Sequence, residues 1–139
     1  MMMRHLIAAL RDVPGASIEF AETDDPEVVV ADCHLPNLPT VTVHFSGSPR
    51  VLEWGLIIRD RRTNKQLWLD WMDYTGHGET DRGKLAAAMT TDIQFLVDDL
   101  RKTTDFRTYR HRVFWLFTER KAEWLIDGQW REVRLYGER

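Results

Sequence analysis

The 139-residue chain carries a single cysteine, Cys33, so no internal disulfide can close, and the thiol fits a reducing compartment. No stretch approaches the ~20 consecutive apolar residues of a membrane span. Residues 1–10, interrupted by Arg4 and His5, are too short and too polar for a secretory leader. A basic excess is missing as well. The formal net charge of −3 argues against a general nucleic-acid binder, which needs cations to neutralise phosphates. The five histidines (His5, His34, His44, His77, His111) lack paired metal-ligand spacing, and Cys33 beside His34 falls short of the four clustered ligands of a zinc site. These absences lead us to expect a cytoplasmic protein with no membrane or nucleic-acid partner, no cofactor and no metal.

What the chain does have is bulk. Six Trp, six Phe and three Tyr supply a dense core, and a chain of this length folds as one domain, residues 1–139, that buries roughly 65–70% of its unfolded surface. Met3, Leu6, Ile7 and Leu10 form a short helical stripe that Pro14-Gly15 ends. Strand-like runs follow at 17–21, 28–31 and 40–45. Residues 51–60 and 66–74 form a central hairpin. In its first run Leu52, Trp54, Leu56 and Ile58 alternate with Glu53, Gly55, Ile57 and Arg59. From about Lys84 to Thr103, Leu85, Met89, Ile93, Leu96 and Leu100 recur at helical spacing. Residues 109–118 read as one long strand, and the Asp127-Gly128 turn closes a hairpin of 121–126 with 129–136. The expected fold is α+β: a twisted, mostly antiparallel sheet of about six to seven strands, one long helix packed across a face, and a short N-terminal helix beside it.

The charge is unevenly spread. Glu19, Glu22, Asp24, Asp25, Glu27 and Asp32 form an acidic stretch without Lys or Arg, whereas Arg101, Lys102, Arg107, Arg110, Arg112, Arg120 and Lys121 face only Asp105 and Glu119. One end of the sequence suits a cation-rich partner and the other an anion. Gly78-Glu79-Thr80-Asp81-Arg82-Gly83-Lys84 fits the first seven positions of a phosphate-cradling loop. Its eighth position is Leu85 rather than the Ser or Thr that binds magnesium, and Glu79 and Asp81 would repel phosphate, so a capped helix start accounts for it better. His77, near Asp70 and Asp73, has the residue types of a base oriented by a carboxylate, but no further residue fixes that geometry. Cys33 lacks the base and oxyanion pocket of a nucleophile and is expected to be inert.

The remaining constellation is 68–74. Leu67, Leu69, Trp71 and Asp73 share one face of the strand, and Trp68, Asp70, Met72 and Tyr74 the other. A strand covered by a helix on one side needs no second apolar face unless something else covers it. Aromatics interleaved with carboxylates suit a protein interface, because Trp and Tyr anchor hot spots and acids steer a basic partner. The same residues can instead be core, with the acids capping strand ends.

In size, acidic balance and the run 68–74 ahead of an acidic loop and helix, the chain resembles, as an architecture, the small single-domain immunity proteins that bacteria encode beside polymorphic toxins. That resemblance implies a tight complex with a cognate toxin, often a nuclease or another enzyme with a basic cleft. The expectation is a non-enzymatic inhibitor, monomer or homodimer, whose partner-binding residues are Glu22, Asp24, Asp25, Glu27, Asp70, Trp71, Asp73, Tyr74, Glu79 and Asp81, with no catalytic residue. A second resemblance, in the N-terminal helix, the strand entry at 38–43 and the helix-crossed sheet, is to phage tail-terminator proteins, and it implies a ring-forming virion assembly protein. The hairpins 65–74 and 121–136 depart from that family. A small enzyme using His77 with Asp70 or Asp73 is the third reading.

Overall fold

The computed structural model describes residues 2–115 and 117–136. A short helix α1 (Met2–Ala8) runs into a 3-10 turn, Ala9–Asp12. Five strands follow as a continuous antiparallel meander: β1 (Ser17–Phe20), β2 (Val29–His34), β3 (Val41–Ser48), β4 (Glu53–Asp60) and β5 (Gln66–Asp73). Helix α2 (Arg82–Lys102) crosses to a separate three-stranded sheet of β6 (Asp105–Phe114), β7 (Phe117–Ile126) and β8 (Gln129–Glu132).

The α+β class and the antiparallel pairing agree with the sequence, but the strands form two sheets rather than a single sheet of six or seven. Among the described residues β5 forms a ladder with β4 alone, and the 21 residues of α2 carry the chain away before β6 begins. Where β7 passes β5, a side chain makes the link: the Arg120 guanidinium donates to the Leu67 carbonyl at 3.2 Å.

The second correction is at 109–118. The run reads as one strand because its alternation is unbroken and it contains no Gly, Pro, Asn or Asp. The chain instead reverses there, and β6 and β7 pair from Asp105↔Leu125 out to Phe114↔Phe117 across a register shift after Arg112. Leu116, read as part of that strand, lies outside the described residues.

Register shows why the meander has one covered face. Ile18, Cys33, Val43, Ile58 and Trp68 lie side by side across all five strands, as do Phe20, Ala31, Phe45, Leu56 and Asp70. Apart from Phe20 and Asp70 at the two edges, these side chains are buried. They share one core with Met3, Ile7 and Leu10 of the N-terminal segment, with Met89, Ile93, Leu96, Val97 and Leu100 of α2, and with Ala122, Trp124 and Ile126 of β7. Gly47 lets α1 approach: a Cβ there would lie 2.9 Å from Met3 Cε and 2.7 Å from Trp54 Cβ.

Both ends of α2 are tied down. Asp81 caps the N-terminus by accepting from the Gly83 amide at 2.8 Å and the Lys84 amide at 3.3 Å. At the C-terminus the Asn37 side-chain amide donates to the carbonyls of Leu100 and Thr103, each at 2.8 Å, and so satisfies acceptors that a helix end leaves without partners.

Candidate functional site

In an antiparallel meander the connections alternate ends, so the β1–β2, β3–β4 and β5–α2 loops (residues 21–28, 49–52 and 74–81) all emerge at one end of the sheet. Two acidic segments far apart in sequence are therefore brought to the same end of the sheet. Glu22, Asp24, Asp25 and Glu27 lie on the first loop and Glu79 and Asp81 on the third, and Asp73 ends β5 beside them. Arg50, on the middle loop, joins them. Its guanidinium pairs with Asp25, and its carbonyl accepts from the Arg82 guanidinium at the start of α2.

The same end opens onto the uncovered face of the meander. Trp71, 47% exposed, lies against Gly55 on β4, where a Cβ would fall 2.0 Å from Trp71 Cε3 and 2.5 Å from Cζ3. Glycine at position 55 lets the indole lie flat on the sheet. Leu69, 48% exposed, continues the apolar strip beside Ile57. Two residues beyond Trp71 on the same face, Glu53 stands directly opposite Asp73, and carboxylates placed opposite each other favour a covering cation. Farther across this face His44 Nδ1 lies 2.7 Å from Asp32 Oδ1, with Arg59 3.9 Å from the same oxygen.

Asp73 is fixed by its own neighbours. Its Oδ1 accepts from the Thr75 hydroxyl at 2.7 Å and the Thr75 amide at 2.8 Å. The hydroxyl bond foremost, then the amide and the nearby His77, hold its carboxyl below the usual aspartate range. Several acids also serve the backbone: Glu79 accepts from the Asp81 amide at 3.0 Å, and Asp25 from the Glu27 amide at 2.9 Å.

Two residues expected on this surface are elsewhere. Tyr74 is 5% exposed, with its hydroxyl between Trp54 Nε1 and Asp92 Oδ2. Its place is in the core, because the period of two that leaves Trp71 outside turns Tyr74 inward. Asp70 shares that inward direction. It sits at the margin of the covered face, and its carboxylate accepts from the Trp71 amide at 2.8 Å. With Trp68 it lines a cleft of about 210 Å³ against β7 and β8. Charges in that cleft pair internally, since Lys121 Nζ lies 3.1 Å from both Glu119 and Glu132.

The remaining motifs resolve locally. The Gly83 and Lys84 amides of the phosphate-loop look-alike are taken by the Asp81 carboxylate. His77 is exposed, and a Cβ at Gly76 or Gly78 on either side would meet no atom within 4 Å. Cys33 is buried, and burial foremost, with the charge of Asp32, pushes its thiol up to about 12. No grouping of three metal-ligating side chains occurs among the described residues, and no described helix is long and apolar enough to cross a membrane.

Glu53, Gly55, Ile57 and Leu69 lie on this surface but are not among the expected partner-binding residues. The signal was Gly55, a glycine inside an otherwise apolar strand, which marks a close approach by another group. No protein-family model matches the chain, and no curated protein or solved structure matches it.

Proposed function

We propose that this protein is a non-enzymatic binding protein of the immunity-protein kind, which inhibits a cationic protein partner by covering it with the acidic end and open face of the five-stranded sheet. The observation that carries this reading is that both acidic loops leave the same end of the sheet as Trp71 on Gly55 and the facing Glu53 and Asp73, with Arg50 tied to Asp25 on one side and Arg82 on the other. A half-exposed indole on a rigid strand is suited to anchoring a partner, and surrounding carboxylates speed and orient the approach of a basic surface.

The partner-contacting set becomes Glu22, Asp24, Asp25, Glu27, Glu53, Leu69, Trp71, Asp73, Glu79 and Asp81. Tyr74 supports it from beneath, and Asp70 lies on the far side of the strand. A toxin with a basic cleft is the class of partner that fits, and the bacterial cytoplasm is the expected compartment.

The test is co-expression with the product of the gene adjacent to this one, with capture on a tag. The expected result is a stoichiometric complex that protects the host from that product. Capture should be lost in Glu53→Lys with Asp73→Lys, while the thermal midpoint stays within a few degrees. An unchanged complex in that variant would place the interface elsewhere.

A further inference from the structure

The β6–β7 hairpin leaves the body of the protein as an arm. Every described side chain from Tyr109 to Phe114 and from Phe117 to Arg120 is exposed. A two-stranded ribbon with both faces bare is marginal in water by itself. At its apex Phe114, Trp115 and Phe117 are 54%, 78% and 60% exposed, with the two phenyl rings edge to face at 5.2 Å. Behind the apex one face is cationic. Arg110 stands opposite Arg120 and Arg112 opposite Thr118, with no carboxylate on that face between Thr108 and Arg120. Like charges opposite each other call for an anionic cover. Arg110 and Arg112 have no ion pair or side-chain hydrogen bond among the described residues.

The open face of the five-stranded sheet has the converse character at its β5 side, since Leu69, Trp71 and Ile57 are bordered there by Glu53 and Asp73, with Glu19 farther across; Asp32 on the same face is already paired with His44 and Arg59. We infer that the arm of one chain docks across the open sheet face of a second copy, and reciprocally, to form a closed two-fold dimer. Its aromatic apex meets the Leu69–Trp71 strip and its arginines meet the carboxylate border.

The dimensions match. The free part of β6 is about 20 Å long, and a five-stranded face measures about 19 Å across its strands. The three apex aromatics leave roughly 350–400 Å² accessible, so two arms with the faces they cover bury about 1,400 Å², within the ~1,200–2,000 Å² of stable interfaces.

The second copy and a cationic partner use the same face, so the dimer is the resting state that such a partner displaces; it is tested on the full chain alone, and its failure would leave the inhibitor reading standing. Sedimentation from low to high micromolar concentration should show a monomer–dimer equilibrium that weakens with salt. Trp115→Asp should raise the dimer dissociation constant at least about tenfold. So should Arg110→Glu with Arg112→Glu on the arm, and separately Glu53→Lys with Asp73→Lys on the face. Neither charge-reversed chain should pair with itself, yet an equimolar mixture of the two should dimerise, because each arm then meets a face of opposite charge. A wild type that stays monomeric throughout would overturn the proposal, as would a dimer that none of these variants weakens or a mixture that stays monomeric. Vesicles of phosphatidylserine and phosphatidylcholine provide the competing occupant: sedimentation of a monomeric wild type with them, lost in Trp115→Asp, would assign the arm to an anionic lipid surface instead.

Discussion

The Tyr74 hydroxyl donates to Asp92 Oδ2 at 2.7 Å and accepts from Trp54 Nε1 at 2.9 Å, which joins the end of β5, the start of β4 and the middle of α2 inside the core. This three-part contact anchors the strand whose other face presents Trp71. It also divides the aromatic run between two tasks, with Trp68 and Tyr74 structural and Trp71 outward.

Tyr74→Phe keeps the ring but removes the hydroxyl, leaving the Trp54 indole and the Asp92 carboxylate each short of a buried partner. The expected cost is about 1–3 kcal/mol, seen as a fall in thermal midpoint of about 3–10 °C. Calorimetric melting checks it, and partner capture by the folded variant should be unchanged.

Gly55→Ala separates packing from binding. The added methyl occupies the position of the Trp71 ring edge, 2.0 Å from Cε3, and the half-exposed indole must swing off the sheet. The outward indole is then displaced with the fold intact. We expect affinity for a partner on this face to fall about tenfold or more, with stability changed by about 1 kcal/mol, as read by titration calorimetry alongside a thermal melt.

Cys33 sets an alkaline limit. Its thiol ordinarily titrates near 9.0 and in the fold is raised to about 12, so the folded state favours the protonated form. The contribution is complete below about pH 9, where the thiol is neutral in both states. It is lost as pH rises from about 9 toward 12, because the unfolded chain releases its proton first. Urea titrations across that range should show stability declining in the wild type and declining less in Cys33→Ala. Iodoacetamide at neutral pH should label Cys33 only after denaturation.

Much of this was legible in residue patterns. The period of two in residues 51–60 and the 3.6 period from Leu85 to Leu100 reflect local backbone geometry, and both elements occur with ends shifted by a residue or two. The reversal at Trp115 was not legible, because the turn there contains none of the residues that usually favour one and its aromatics imitate a buried strand. The division into two sheets depends on whether β7 pairs with the free edge of β5, a long-range choice with no local signature. The site was half visible: composition marked the acids and Trp71, but only the meander brings residues 21–28 and residues 74–81 to the same end of the sheet. The burial of Tyr74 followed from strand alternation once β5 had been given an inside.

The central claim is that the sheet's acidic end and open face bind a cationic protein through Trp71. Titration calorimetry tests it most directly, with the purified product of the adjacent gene placed against wild type, Trp71→Ala and Glu53→Lys with Asp73→Lys, each at low and high salt. The account predicts tight, salt-weakened binding by the wild type, a loss of about tenfold or more in Trp71→Ala, and none detectable in the charge-reversed chain. Binding that survives both substitutions undiminished, or a wild type that does not bind at all, would contradict it.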